Sequence, residues 1–283
     1  MTDRTIRTLA RPTPQAESGI LHPFPSPELA HIDPFVFLDM GAPTSLGGHA
    51  ITVKPHAHRG VQPVGLVFRG RVEHRDSLGN DVTVTSGGMQ WLVGGSGALH
   101  EEILHDDDGG VFHLAQLWVN MAADRKMDPP EHHAITADRV PTLTRPGATV
   151  RLFAGTLDDR TGPAPLGTPV LVAHVALAPG GALTVPVPTE WNAAVISVAD
   201  RVSTGGADLD PGHTAVLNAD GASMTVTSAH GGEALVLAGL PIGEPIVMGR
   251  GHVMTSDDDV GLAIADEQAG RMGRLAPRAE TTA

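Results

Sequence analysis

Short apolar runs separated by Gly, Pro, Asn and Asp recur along almost the whole chain, and this pattern constrains the fold more than any other feature. The clearest runs cover residues 64–68, 81–85, 111–119, 170–177, 193–198, 223–227 and 234–237. At 81–85 and 223–227 apolar and polar residues alternate strictly, as on strands with one buried face. Many short strands joined by turns favour an antiparallel sandwich or barrel over units with crossover helices. The sequence therefore predicts an all-β protein.

Helical signals are confined to two places. The stronger begins at Ser256, a suitable N-cap residue, and continues into three aspartates whose charges favour a helix N-terminus. This short C-terminal helix is expected to end around 270–273 and to direct four side chains inward, namely Val260, Leu262, Ile264 and Ala265. The weaker place is a polar turn near 121–127. The ends of the chain are expected to be an exposed strand at 5–9 and a disordered tail at 275–283.

The chain is long enough for two domains, at 283 residues. A polar segment with four prolines at 121–147 is the natural boundary, and we expect domains at 1–134 and 135–283. A short repeat supports this division, because residues 47–53 resemble residues 180–185 with one residue removed. A duplicated barrel explains both observations most simply.

Composition excludes several classes of function. The chain has 19 basic and 32 acidic side chains, a formal net charge of −13, and no cysteine. Direct binding of nucleic acid is not expected, because it needs clustered cations. The absence of cysteine excludes disulfides, thiolate ligands and thiol nucleophiles, and is typical of a reducing compartment such as the cytoplasm. No run of about 18 apolar residues occurs, so no membrane-spanning helix is expected.

Metal-ligand spacing occurs twice in the first half. His56 and His58 follow a strand-like segment, and His100 and Glu102 repeat the same spacing farther along. Residues two apart in a strand share a face, so each pair can direct both side chains at one ion. Three nitrogens and one carboxylate suit Fe(II), Mn(II), Ni(II), Cu(II) or Zn(II). Either pair alone is weak evidence, but together they predict a metal site, with Glu101 replacing Glu102 only if a bulge shifts the register.

The other histidines are expected to be structural or to lie on the surface. Five of them lack partners at ligand spacing, namely His74, His105, His113, His132 and His133. Three more are isolated in the second half, namely His174, His213 and His230. The adjacent pair at 132–133 points in opposite directions on any regular element, which favours a linker role. The repeat aligns the first ligand pair with Pro188 and Glu190, and His100 with a position near Met224, so the second barrel is expected to lack the ligands.

Several motifs in order along the chain resemble the pirin family of bicupins. They are DPF at 33–35, PHAHRG at 55–60, EHRDSLG at 73–79, GMQWL at 88–92, GSGALHEE at 95–102, LWVN at 117–120, PGHTAVL at 211–217 and EPIV at 244–247. The resemblance implies two tandem cupin jelly-roll barrels. It also implies that His56, His58, His100 and Glu102 are iron ligands in the first barrel, with Mn, Ni, Cu, Zn and Co left open as alternatives to Fe(II).

The same resemblance implies two kinds of function. Some pirin-like proteins show quercetin 2,3-dioxygenase activity, in which a flavonol-like substrate and O2 would react and Glu102 would serve as ligand and base. Others are iron-dependent, redox-sensitive partners of regulators or metabolic enzymes. A third hypothesis is a vestigial bicupin that keeps the metal for stability. The chain departs from the family pattern at Gln62, Pro63 and Ser96, and the change at Gln62 removes a carboxylate expected near the metal.

Overall fold

The computed structural model describes residues 1–15, 19–106, 110–165 and 167–276. Twelve strands lie in the first half of this described chain: β1 Ile6–Ala10, β2 Thr13–Pro14, β3 Ile20–Phe24, β4 Phe35–Gly41, β5 Ile51–His58, β6 Val61–Arg69, β7 Arg71–Asp76, β8 Asp81–Thr85, β9 Met89–Val93, β10 Ala98–His105, β11 His113–Asn120 and β12 Glu131–Ile135. A 3₁₀ helix at Ala123–Arg125 occupies the predicted polar turn.

The described part of the second half adds fourteen strands: β13 Thr142–Arg145, β14 Ala148–Ala154, β15 Thr156–Leu157, β16 Arg160–Thr161, β17 Val170–Leu177, β18 Gly181–Pro186, β19 Asn192–Ala199, β20 Val202–Thr204, β21 Ala207–Leu209, β22 Thr214–Leu217, β23 Ser223–Ser228, β24 Gly232–Gly239, β25 Val247–Gly249 and β26 His252–Met254. Its helices are a 3₁₀ turn at Ala137–Arg139 and α1 at Asp257–Gln268. Every predicted apolar run contributes to a strand, and the prediction of an all-β fold is confirmed.

The two halves repeat one antiparallel topology. Each has a seven-stranded sheet, in the orders β12-β9-β6-β11-β4-β3-β2 and β1-β22-β19-β24-β17-β14-β13. Each also has a four-stranded sheet, in the orders β5-β10-β7-β8 and β18-β23-β20-β21. The corresponding strands occupy the same places in both halves, as expected for a duplicated barrel. Two tandem cupin barrels therefore form the molecule.

The outermost strand of one large sheet comes from the other half of the chain. β1 comes first in the chain but pairs with β22 in the second barrel, and β12 pairs with β9 in the first. The division at residues 134 and 135 remains a prediction, although the strand at residues 6–10 joins the sheet of the second barrel. Sequence periodicity identifies β1 as a strand, whereas its partner is fixed by packing between the halves.

The main hydrophobic core lies between the two large sheets. Leu66, Trp91 and Leu117 of the first barrel pack in one buried cluster with Val172 and Leu235 of the second. A separate apolar cluster fills the inside of the second barrel. Side chains alternate along a strand. The strand neighbours of Leu66, Trp91 and Leu117 therefore point to the opposite face, into the first barrel. That interior carries the histidines and carboxylates of the predicted metal site.

The C-terminal helix begins as predicted but buries only part of the expected face. The Ser256 hydroxyl accepts a hydrogen bond from the Asp259 amide at 3.2 Å, which confirms the N-cap. The prediction that Leu262 and Ala265 point inward is wrong, because Leu262 is 63% exposed and Ala265 is also exposed. Val260 is buried as predicted and Ile264 is partly buried, whereas Ala263 is buried without having been predicted, since α1 lies on the surface of the first barrel and contacts it through a narrow strip.

The two remaining terminal predictions have different outcomes. β1 forms where the N-terminal strand was expected, with its residues alternating between exposed and partly buried. Most of the predicted disordered tail, residues 277–283, lies outside the described residues. Within the part of the chain that is described, none of the helices combines the length and apolar character needed to cross a membrane.

Candidate metal centre

Three neighbouring strands bring the predicted ligands together. β10 lies between β5 and β7, so His100 faces His56 on one side and Asp76 on the other. The pairing of β10 with β5 shifts between His100 and Glu102, whereas its pairing with β7 is regular and places Glu102 opposite His74. Cross-strand neighbours on one face have Cβ atoms about 4.5–5.5 Å apart, which brings their side chains into contact inside the barrel.

His56, His58 and His100 form one compact group of imidazoles. The Nε2 atoms of His56 and His100 are 3.1 Å apart, and the rings of His58 and His100 have centroids 5.0 Å apart. One potential ligand atom from each ring lies within 4.8 Å of the others. Such a cluster of nitrogen atoms suits a divalent transition metal, because neutral imidazoles direct lone pairs at a common point.

Backbone carbonyls orient two of the three rings. The Nδ1–H of His58 donates to the Gly251 carbonyl at 2.8 Å, and that of His56 donates to the Lys54 carbonyl at 2.9 Å. Both rings therefore carry a proton on Nδ1. In a neutral ring this leaves Nε2 as an acceptor, which for His56 lies 3.1 Å from His100 Nε2. The Nε2 atom of His58 is buried and has no hydrogen-bond partner among the described residues. A buried acceptor left in this way fits a metal ion at that position.

Glu102 lies on the other side of the His100 ring. Its Oε1 atom is 3.7 Å from His100 Nδ1, and Glu102, His100 and His74 form a second group of potential ligands within 4.8 Å. The Gln90 amide donates to the same carboxylate oxygen. Burial raises the pKa of Glu102, against the opposing effects of His74, His56 and Gln90. The structure thus places three of the four predicted ligands in one group and Glu102 in an overlapping group that shares His100.

The alternative carboxylate, Glu101, points away from this interior. Its Oε1 atom is 3.0 Å from Arg75 Nη1, in an ion pair on the outside of β10. The bulge that the alternative requires is present, because the pairing with β5 shifts at this point. It does not turn Glu101 inward, since the regular pairing with β7 still sets the alternation of side chains along β10.

His74, Asp76 and His132 are functional candidates that the sequence analysis missed. The prediction that His74 and His132 lack partners is wrong, because their rings stack at 3.9 Å and both group with Asp76. The linker role for residues 132–133 is also wrong, because both lie in β12 at the edge of the first large sheet. The spacing of His74 and Asp76 repeats that of His100 and Glu102, and this signal could have identified them.

Gln62 and Pro63, two of the residues that depart from the family pattern, lie on opposite faces of β6. Gln62 does not lie in the metal-side interior, because its Oε1 accepts from Trp91 Nε1 at 3.0 Å between the two large sheets. Its Nε2 donates to the Thr168 hydroxyl at 3.3 Å across that interface. Pro63, on the opposite face of β6, does line the interior beside His100 and Glu102. The expectation that Gln62 removes a base near the metal is therefore wrong.

The C-terminal segment closes over this end of the first barrel. Arg59, next to His58, forms an ion pair with Asp266 of α1 at 2.8 Å and donates to the Ser96 carbonyl at 2.7 Å. The buried Lys126 ammonium donates to the Gly60 carbonyl at 2.8 Å and the Val253 carbonyl at 3.0 Å. These contacts fix the strand that carries two of the candidate ligands. Val253 and Asp266, near the C-terminus, thereby help to hold His56 and His58 in position.

Burial holds several histidines neutral. It lowers the pKa of His58 to about 3, with a further lowering by His56, and it lowers the pKa of His100 well below its usual range. Away from the candidate metal ligands, burial lowers the pKa of His113 to about 4, although Glu233 opposes the shift. Neutral imidazoles are the form that binds metals, so His58 and His100 can bind a metal without first losing a proton.

The neutral His113 predicts that acid destabilises the fold. Between pH 6.5 and 4 the unfolded chain binds a proton at this position and the folded chain does not, so stability is present above that window and lost within it. From pH 7 to pH 5, His113 should account for a loss of about 2 kcal/mol in the free energy of unfolding. Urea denaturation of wild type and His113→Leu at both pH values measures this difference. The exposed His230→Leu is the control; equal losses in all three proteins would contradict the prediction.

Comparison with known proteins identifies the family. The Pirin model matches residues 15–119, and the model of the Pirin C-terminal cupin domain matches residues 172–273. These two matches together span more than half of the chain. The chain belongs to the pirin family. This membership agrees with the bicupin fold and places the histidine cluster in the family's N-terminal domain.

Individual relatives extend over most of the chain. A Pseudomonas aeruginosa protein provisionally named a quercetin 2,3-dioxygenase is 32% identical over 251 residues, 86% of this chain and 88% of that protein. The crystal structure of a quercetin 2,3-dioxygenase from Acinetobacter baumannii has a TM-score of 0.89 and 28% identity, covering 97% of this chain and 100% of that one. The Escherichia coli pirin in complex with nickel(II) shares the fold, at a TM-score of 0.65, 17% identity and coverages of 83% and 99%.

Proposed function

We propose that this pirin is an iron-dependent dioxygenase of the quercetin 2,3-dioxygenase type. One observation carries the proposal: the buried Nε2 atom of His58 has no protein partner among the described residues and faces the other two imidazoles. His56, His58 and His100 would bind the metal, and Glu102 would be the fourth ligand. Fe(II) is our choice, and Mn, Ni, Cu, Zn and Co fit the same donor set.

The metal ion and the residues around it would have separate roles in the reaction. When bound, the ion would supply Lewis acidity and open positions for the substrate and O2. Glu102 would accept the proton of the substrate's enol hydroxyl on a carboxylate oxygen. The Gln90 amide, which donates to this carboxylate, would hold it in place. The barrel walls would exclude bulk water from the reacting atoms.

A flavonol-like enol is the substrate class we propose. The support is the name of the Pseudomonas aeruginosa relative, at 32% identity, together with that of the Acinetobacter baumannii enzyme, at 28% identity. An oxygen electrode, with the Fe(II)-loaded chain and a flavonol such as quercetin, tests the proposal. We further propose a cytoplasmic location, which agrees with the lack of cysteine and which cell fractionation tests.

A second function, as a redox sensor without catalysis, is favoured by the small size of the interior. The space beside His100 and Glu102 has no room for a water-sized molecule. Pockets for drug-sized ligands usually have roughly 300–1,000 Å³. In this alternative, oxidation of the bound iron would change the affinity for a protein partner. Affinity for a partner captured from the host should then differ between reduced and oxidised protein; equal affinities would exclude redox control.

A further inference from the structure

The second barrel has a pocket at the end that corresponds to the candidate metal centre of the first. β18 takes the place in the second small sheet that β5 takes in the first, and the repeat aligns the first ligand pair with positions 188 and 190, just beyond β18. β17 and β24 correspond in the same way to β4 and β11. The pocket lies among these elements, and its main lining residues are Pro169, Leu171, Pro186, Pro188, Trp191 and Ala238.

Smaller side chains leave this end of the second barrel open. In the first barrel, Trp118 and Phe37 pair across β11 and β4, and their rings lie 4.6 Å apart beside His58. Near the same end of the corresponding strands, the second barrel pairs Ala238 with Leu171. The first barrel has no room for a water-sized molecule beside its candidate ligands, whereas the pocket has a volume of about 320 Å³. Pockets for small organic ligands usually have roughly 300–1,000 Å³.

The walls of the pocket are apolar and uncharged. None of the described residues that line it carries a charge, and its polar side-chain groups are the Thr156 hydroxyl and the Trp191 indole N–H. The indole and three proline rings form much of the rest. Aromatic rings pack well against an indole, and a charged ligand would lose its hydration without gaining a counter-charge. The lining therefore favours a flat, uncharged aromatic molecule with few polar groups.

The wall that carries Trp191 is fixed by the N-terminal segment. Arg4 is buried, and its guanidinium donates to the Trp191 carbonyl at 2.7 Å and to the Pro188 carbonyl at 2.6 Å. The Trp191 amide also donates to the Pro188 carbonyl, at 3.0 Å. The Trp191 side chain packs against the apolar cluster inside the second barrel. A wall held in this way loses little conformational entropy when a ligand binds, which favours affinity.

We propose that this pocket is a binding site for a flat, uncharged aromatic molecule of two or three rings. The site goes beyond the proposed function, because it uses neither the candidate metal ligands nor the first barrel. Where the first barrel has its ligand histidines, the second has Trp191 and the proline rings. The duplicated barrel thus offers an organic-ligand site at the end where the metal ligands are absent.

The indole N–H signals of the three tryptophans can locate the ligand. ¹H–¹⁵N spectra of the full-length chain are recorded as 2-naphthol, which is flat and uncharged near neutral pH, is added. Trp191→Phe and Trp118→Phe assign the signals. We expect the Trp191 signal to shift and saturate, with a Kd on the order of 1 mM or tighter, and the other two to stay in place. No saturable shift, or a shift at Trp118 in place of Trp191, would overturn the proposal.

Two analogues with the same carbon skeleton test the chemistry of the site. Decahydro-2-naphthol keeps the hydroxyl but is neither flat nor aromatic, and we expect it to bind about three- to tenfold more weakly. 2-Naphthoate carries a negative charge that no described lining residue can pair, and it should bind at least about tenfold more weakly. Equal affinity for decahydro-2-naphthol would contradict an aromatic ligand, and equal or tighter binding of 2-naphthoate would contradict an uncharged one.

Variants of the pocket complete the test, with binding followed on the signals of 2-naphthol itself. Trp191→Ala removes the indole wall and Ala238→Leu fills the space, and each should weaken binding at least about tenfold. Trp191→Phe keeps an aromatic ring and should stay within about threefold of wild type. Trp118→Phe is the matched control in the first barrel and should bind as wild type does, with or without Zn(II). Wild-type affinity in both Trp191→Ala and Ala238→Leu, with circular dichroism showing that they fold, would refute the site.

Discussion

Oxygen uptake by the Fe(II)-loaded chain is expected only when a flavonol is added, and His56→Ala is expected to show none above background. His56 contributes one of three imidazoles, and its Nε2 atom lies 3.1 Å from that of His100. Removing one ligand from a set of three nitrogens and one carboxylate weakens both the binding and the orientation of the ion. We expect a loss on the order of 100-fold or more, since all of the proposed chemistry depends on the ion.

The control for this experiment is His174→Ala. His174 is also largely buried and paired with a carboxylate, but it lies on β17 of the second barrel. It should retain the wild-type rate if the chemistry is confined to the first barrel. Uptake in His56→Ala equal to that of wild type would refute the proposed enzyme. No uptake in wild type, with one ion bound, would favour the redox sensor.

Glu102→Gln is expected to lower the flavonol-dependent rate by about 10²–10⁴-fold, the usual contribution of a positioned general base. The substitution keeps the size of the side chain but removes the basic oxygen. Glu101→Gln is the matched control, because the neighbouring carboxylate points outward and pairs with Arg75. Its rate should stay within about twofold of wild type, since ion pairs near the surface contribute little. Initial rates in the oxygen electrode, at equal iron content, measure both effects.

The iron content separates two roles of Glu102. If Glu102→Gln retains iron and loses the rate, the carboxylate acts as the base. If it loses iron as well, its role as a ligand accounts for the result, and the rate must be corrected for the metal-free fraction. A fully active Glu102→Gln with a full complement of iron would contradict both roles.

Local pattern was sufficient to predict the strands and to select the candidate ligands. The period of two in a strand identified residues 81–85 and 223–227 as strands. The same period put His56 and His58 on one face, and His100 and Glu102 on another. Both predictions depend only on the neighbours of each residue in the chain, and the repeat then placed the two barrels in sequence.

Local sequence patterns could not predict contacts between segments that are far apart in the chain. The exchange of β1 into the second barrel, and the position of α1 over the first, depend on which surfaces remain open after each barrel folds. Gln62 was misassigned because the face of β6 that points into the barrel cannot be read from a nearly continuous apolar run. His74 was missed because the register of β7 against β10 brings it to Glu102, and register is a property of the folded sheet.

Metal content is the most direct test of the central claim. The chain, purified without a histidine tag, loaded with Fe(II) under anaerobic conditions and desalted, is measured by elemental analysis beside His58→Ala and His174→Ala. We expect one ion per chain in wild type and in His174→Ala, and close to none in His58→Ala, because the unpartnered Nε2 of His58 is the centre of the proposed site. Equal iron content in wild type and His58→Ala, or no iron in wild type, would contradict the proposed metal centre.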